Sequence, residues 1–144
     1  MRVTLLLADA AQVDSAGKVH ALGLGWTVIP TPTPIVALII LLDVDWAETN
    51  RPYQVRCELV TDDGQTVTIP GPEGEQTIWF AANIEAGRPP GAPHGTSIRV
   101  PITYTVGPGL PLNPGRYQWR VTIEGHPEWV MGESFTVVRP GPGT

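Results

Sequence analysis

The stretch Arg116-Tyr-Gln-Trp-Arg-Val-Thr-Ile-Glu124 decides the fold class. Tyr117, Trp119, Val121 and Ile123 fall on one side of a two-residue alternation, and Arg116, Gln118, Arg120 and Thr122 on the other. Successive side chains of a strand point to opposite faces, so this pattern is that of a half-buried β-strand. Tyr53 to Val60 repeats it, with Tyr53, Val55, Cys57 and Leu59 inward and Gln54, Arg56 and Glu58 outward.

Working outward, the same period recurs along the chain. Arg2 to Ala8 places Val3, Leu5 and Leu7 on one face. Gln12 to Gly17 is polar and predicts a hairpin loop. Lys18 to Ile29 alternates large residues with Val19, Ala21, Gly23 and Gly25, and predicts one long strand with a bulge or a close backbone neighbour at its glycines. Ile35 to Asp45 is apolar on both sides, which fits a central strand covered on both faces or one lining a subunit interface. Asp62-Asp63-Gly64 and Gly71-Pro72-Glu73-Gly74 read as turns. Gln76 to Glu85 puts Ile78, Phe80, Ala82 and Ile84 inside, and Trp79, Ala81 and Asn83 outside. Ile98 to Val106 contains Pro101, which cannot donate a ladder hydrogen bond and marks an edge or a bulge. A loop through His126, Pro127 and Trp129 leads to a final strand at Phe135 and Val137.

The chain has 16 Gly and 16 Pro in 144 residues, close to twice their usual share. They concentrate between the apolar alternations and exclude a helical bundle. About nine strands, no helix, and turn signals every 8–12 residues predict an all-β fold, an antiparallel β-sandwich. One domain is expected over residues 1–138. Residues 139–144 are expected to be a mobile Pro/Gly tail.

The net charge is −5, and the nine basic residues never form a run, so a stripe that would track nucleic-acid phosphates is missing. Lys18 is the single lysine. That bias, with the Ala, Gly, Pro and Val excess, suggests a high-GC genome such as that of an actinobacterium or one of its phages. Cys57 is the sole cysteine, so no intrachain disulfide is expected, and its place on an apolar face predicts an inert, buried thiol. The longest apolar run, Ile35 to Leu42, is far short of the ~20 residues a membrane-spanning helix needs. The Met1–Asp9 segment is too short in its apolar part for a signal peptide. A cytoplasmic protein with no membrane partner is expected, or a virion protein if the gene belongs to a phage.

Chemistry-bearing residues do not converge in sequence. His20, His94 and His126 sit in different elements and share no metal spacing. Asp43 and Asp45 share a strand face about 7 Å apart by strand rise, and Asp62 and Asp63 are explained by their turn. Ser15 and Ser97 lack a nucleophile-elbow context. Gly107-Pro-Gly-Leu-Pro has prolines where a phosphate cradle needs N–H donors. No catalytic residue, metal ligand or cofactor is assigned, and the protein is not expected to be an enzyme.

Aromatic residues and stiff loops supply the remaining candidates. Trp26, Trp46 and Trp119 fall on apolar faces and are expected in or near the core. Trp79 faces outward and Trp129 sits in a loop. Trp79 either packs beneath the long loop Ala86–Ser97 or stands exposed, as a protein hot spot or a sugar platform. Gly87-Arg-Pro-Pro-Gly91 and Gly107–Gly115 are pre-stiffened and would lose little entropy on binding, or are simply stable connectors. The partner-contact candidates are Trp79, Arg88, Pro89, Pro90, Leu110 and Trp129, with Ile35, Ile39 and Leu41 of the apolar strand.

Two resemblances bear on this reading. Pro114-Gly-Arg-Tyr-Gln-Trp-Arg-Val-Thr-Ile123 resembles the penultimate strand of immunoglobulin-like sandwiches, in which a tyrosine near the strand start pins the preceding corner. Tyr117 holds that position, although the inter-sheet cysteine pair is missing. Val3-Thr-Leu-Leu-Leu-Ala-Asp-Ala-Ala-Gln12, Lys18–Trp26, Gly87–Gly91 and Gly115–Gly125 are similar to a family of short bacterial proteins, common in actinobacteria. That resemblance implies an independent small domain and no particular activity. The expectation is a non-catalytic structural or protein-interaction module that self-associates or joins a larger assembly. Alternatives are a phage capsid-decoration or tail component and a carbohydrate or small-ligand binder.

Overall fold

The computed structural model describes residues 1–140, so residues 141–144 of the expected tail lie outside the described residues. Twelve strands are present: β1 (Arg2–Ala8), β2 (Ala10–Val13), β3 (Val19–Leu22), β4 (Val28–Pro30), β5 (Val36–Val44), β6 (Pro52–Thr61), β7 (Thr68–Gly71), β8 (Gly74–Thr77), β9 (Trp79–Glu85), β10 (Ile98–Val106), β11 (Gly115–Ile123) and β12 (His126–Val138). A single 3-10 turn at Trp46–Glu48 separates β5 from β6. The protein is all-β and Cys57 is a free, buried thiol.

Two sheets carry the fold, in the orders β1-β5-β10 and β4-β12-β11-β6-β9, and β2-β3 and β7-β8 form two-stranded appendages. The inward residues of both large sheets join in one core that includes Leu5, Leu38, Ile40, Leu59, Trp119 and Val121. Trp119, the largest of the fully buried side chains, is 2% exposed. Removing a side chain of that kind from water contributes on the order of 2–3 kcal/mol. The alternation read in Tyr53–Val60 and Arg116–Glu124 is therefore realised in β6 and β11, which pair directly with Val121 opposite Cys57.

The apolar strand β5 is central, with β1 on one side and β10 on the other. Its even residues face the main core. Its other face forms a second small core of Ala8, Ala37 and Ile39, closed over by Ala11 of β2 and Val19 of β3. Of the two explanations for a strand apolar on both sides, the chain itself supplies the first: its own hairpin covers the outer face.

Several expectations are corrected. Lys18–Ile29 is not one strand. Gly23 and Gly25 take φ of 64° and 90°, a left-handed conformation that turns the chain, and β3 and β4 part there. A Cβ at Gly23 would collide with the Asp9 side chain, so the glycine also admits a close neighbour. The sheet is not wholly antiparallel, because β4 runs parallel to β12, with Ile29 beside Val137. The proline segment after β4 carries the chain across to β5 in the other sheet, so β4 has no hairpin partner there. The count exceeds nine because short pieces break off the long alternations. Gln76–Glu85 divides into β8 and β9, and Gln12–Val13 belongs to β2. Finally, His126, Pro127 and Trp129 lie in β12 and not in a loop. The turn there is shorter than expected because Gly125, at φ 79°, reverses the chain at once.

Candidate interaction surface

Most of the sequence-derived candidates are held by the chain itself. Arg88 is fixed from three directions. Its Nε donates to Thr49 Oγ1 at 2.7 Å, its Nη2 donates to the Trp46 carbonyl at 2.7 Å, and its guanidinium carbon lies 4.0 Å from the Trp46 ring centre. His94 approaches the same indole at 5.0 Å. The loop Ala86–Ser97 therefore closes over Trp46, and the reading that it covers Trp79 is corrected. Pro89 and Pro90 remain exposed on this clamped loop; the Ala92 N–H donates to the Pro89 carbonyl.

Leu110 is half-buried in the second stiff loop. Its N–H donates to Thr33 Oγ1 at 3.1 Å, and its carbonyl accepts from the Thr33 N–H at 3.2 Å. Thr31 Oγ1 donates to the Leu112 carbonyl at 2.6 Å. Leu110 thus seals a narrow apolar cleft shared with Trp26, Leu59 and Phe135. Trp26 meets Phe135 edge-on there. Trp129 is half-buried and stacks on His126 with centroids 4.0 Å apart, with Tyr53 edge-on at 6.0 Å. Ile39 is 2% exposed and Leu41 is half-buried, both on the face beneath the β2-β3 hairpin, whereas Ile35 stands free just before β5.

Two of the local charged sets shift the pKa of an aspartate. Asp43 of β5 lies between Arg2 of β1 and Arg99 of β10 in the register of the three strands. Arg99 Nε donates to Asp43 Oδ1 at 2.8 Å and Arg2 Nη2 donates to Oδ2 at 2.9 Å. These bonds, that of Arg99 foremost, hold the Asp43 carboxyl below its ordinary pKa. Asp14 is lowered likewise, first by its 2.7 Å bond to His20. Among the described residues, no group of three or more His, Cys, Asp or Glu converges as metal ligands. Burial, aided by the Glu58 carboxylate, pushes the Cys57 thiol up to about 12.

Trp79 is different. It is 48% exposed at the start of β9, and Arg56 of the neighbouring strand lies over its ring at 4.1 Å. Strand β9 is the border of the five-stranded sheet and pairs with β6 alone. The Leu59 N–H donates to the Ile78 carbonyl at 2.9 Å, which fixes the direction of the backbone groups. In an antiparallel ladder, alternate residues point toward the partner. Phe80, Ala82 and Ile84 therefore direct their N–H and C=O groups at β6, while Trp79, Ala81, Asn83 and Glu85 direct theirs outward. The sequence marked Trp79 as outward-facing. It placed Arg56 and Asn83 outward as well, but did not single out Arg56, Asn83 or Glu85 as contact candidates, because their grouping depends on the β6–β9 register.

Beside this border, Gln54, Arg56, Ala81, Thr122 and Glu124 surround a shallow depression of about 250 Å³ on the outer sheet face. Its floor is low because Ala81 stops at Cβ between longer neighbours.

No curated protein matches the chain. Among solved structures, it is similar to the soluble domain of PmoD from Methylocystis sp. ATCC 49242 (Rockwell), with 16% identity, a TM-score of 0.30, and coverage of 94% of this chain and 90% of that one. The model of the family of unknown function DUF6941 matches residues 3–132, and the chain belongs to that family.

Proposed function

We propose that the protein is a non-catalytic protein-interaction module whose contact surface is the open border strand β9. The observation that carries this reading is the half-exposed Trp79 at the head of a strand with one unpaired backbone edge. Unpaired edges are templates for another strand, and proteins usually blunt them with Pro, Lys or a bulge. Trp79-Phe-Ala-Ala-Asn-Ile-Glu85 contains neither Pro nor Lys, and its register to β6 is unbroken. Exposed tryptophans are favoured anchors at protein interfaces. We also read the two facing sheets as an immunoglobulin-like sandwich; Tyr117 supports this, since its hydroxyl donates to the Asn113 carbonyl at 2.7 Å and so pins the corner before β11.

The experiment compares wild type with Ala81→Pro by light scattering and by pull-down. The Ala81 N–H points away from β6, so proline there leaves the β6 ladder intact and removes one outward donor. The reading expects wild type to associate and the variant to do so at least tenfold more weakly. Association that is equal in the two proteins overturns it, as does a wild type that stays monomeric and retains no partner. A second reading, sugar binding, is favoured only by the depression beside Trp79, and an unchanged tryptophan emission on titration with sugars removes it.

A further inference from the structure

We infer that the occupant of the β9 border is a second copy of this chain, its β9 running antiparallel so that Ala82 of one copy faces Ala82 of the other across a two-fold axis. This rests on the reading of β9 as the contact surface and adds the partner and the register. The outward backbone groups belong to odd-numbered residues, so a pairing strand must set odd residues opposite odd residues. Of the registers that do so with two-fold symmetry, the one centred on Ala82 overlaps all seven residues of β9. It places Trp79 opposite Glu85 and Ala81 opposite Asn83, each relation occurring twice. Shifting the centre to Ala81 or Asn83 shortens the overlap and separates Trp79 from Glu85.

Charge favours the same register. Arg56 lies on the Trp79 ring, and its only other ionic contact among the described residues is a loose one to Glu58 at 3.8 Å. Neighbouring strands lie about 4.8 Å apart, so the guanidinium above Trp79 comes within reach of the carboxylate of Glu85 from the second copy. Glu85 is exposed and has no ion pair within the described chain. On the inner side, Phe80 and Ile84 would meet across the axis. Both are half-buried, and Phe80 already stacks on Tyr104 at 3.9 Å. The remaining borders of the two large sheets are less suited. Strand β4 is three residues long and ends in Pro30, β10 contains Pro101, and β1 packs against β12 and already accepts the Gly25 N–H at its Leu7 carbonyl. Pairing through β9 uses the same surface in both copies and closes at two, giving one continuous sheet of ten strands.

A charge exchange tests the pairing. Sedimentation equilibrium is measured for wild type, Glu85→Arg, Arg56→Glu and the double variant Arg56→Glu/Glu85→Arg. Both substitutions lie on the outer sheet face, and circular dichroism confirms folding. The expected result is a wild-type dimer, a Kd raised several-fold in each single variant, and recovery in the double variant. A wild type that remains monomeric at all concentrations overturns the second copy as occupant, and so do single variants that dimerise as wild type does. If that monomer nevertheless retains a different protein and loses it on Ala81→Pro, only the self-pairing fails; if it retains none, the interaction reading falls as well.

Discussion

The guanidinium of Arg88 lies across the indole of Trp46, 4.0 Å from its centre, while its Nη2 donates to the carbonyl of the same residue at 2.7 Å. One side chain thus ties the Pro/Gly loop after β9 to the 3-10 turn after β5. Arg suits the position because a planar fork both stacks and donates, which an ammonium does not. Arg88→Ala is expected to cost about 1–2 kcal/mol, from the lost cation–π contact and the charge-assisted bonds. Arg88→Lys should recover little of it. Thermal denaturation measures the loss, and limited proteolysis should cut the variants between Ala86 and Ser97 first. Unchanged melting in both variants would contradict the clamp.

Asp43 gives a pH dependence whose sign is fixed by its two arginines. Arg99 foremost, then Arg2, holds its carboxyl below the ordinary value, against the opposing effect of burial. A group depressed in the folded state stabilises it fully above the unfolded pKa, about 3.9 for Asp, and loses that contribution as pH falls through the folded value. Asp43→Asn should therefore cost about 1 kcal/mol at pH 7, with the gap to wild type closing below about pH 4. Denaturant unfolding at pH 7 and pH 3 measures this, and a gap that is equal at both would contradict it.

Cys57 should be unreactive while the protein is folded. With its thiol pushed to about 12, the nucleophilic thiolate is roughly one part in ten thousand at pH 8. Native protein is expected to resist a thiol reagent for hours, and guanidinium should expose one thiol per chain at once. Fast labelling of the folded protein would contradict the buried placement between Val55 and Leu59.

Strand identity was legible wherever one face is buried and the other is wet, because burial imposes the two-residue period directly. Strands β6 and β11 are of that kind, and Tyr117 announced the corner it pins. The alternation at Lys18–Ile29 misled, because it continued through Gly23 and Gly25, whose positive φ redirects the chain. The parallel pairing of β4 with β12 joins residues more than a hundred positions apart, which no local pattern reports. The role of Ile39 was hidden for a related reason: an apolar outer face looks the same whether a partner or the chain's own hairpin covers it. Trp79 was legible as outward-facing, but the open border it heads appears only once β9 is seen to pair with β6 alone.

Backbone amide hydrogen exchange in β9, followed by NMR at low and high protein concentration, tests the central claim most directly. The amides of Phe80, Ala82 and Ile84 point at β6 and should be protected at both concentrations. Those of Trp79, Ala81, Asn83 and Glu85 point outward and should exchange freely in dilute protein, then slow together as concentration rises. Outward amides that exchange equally fast at every concentration, in a protein that nevertheless associates, would show that β9 is not the surface through which it does so.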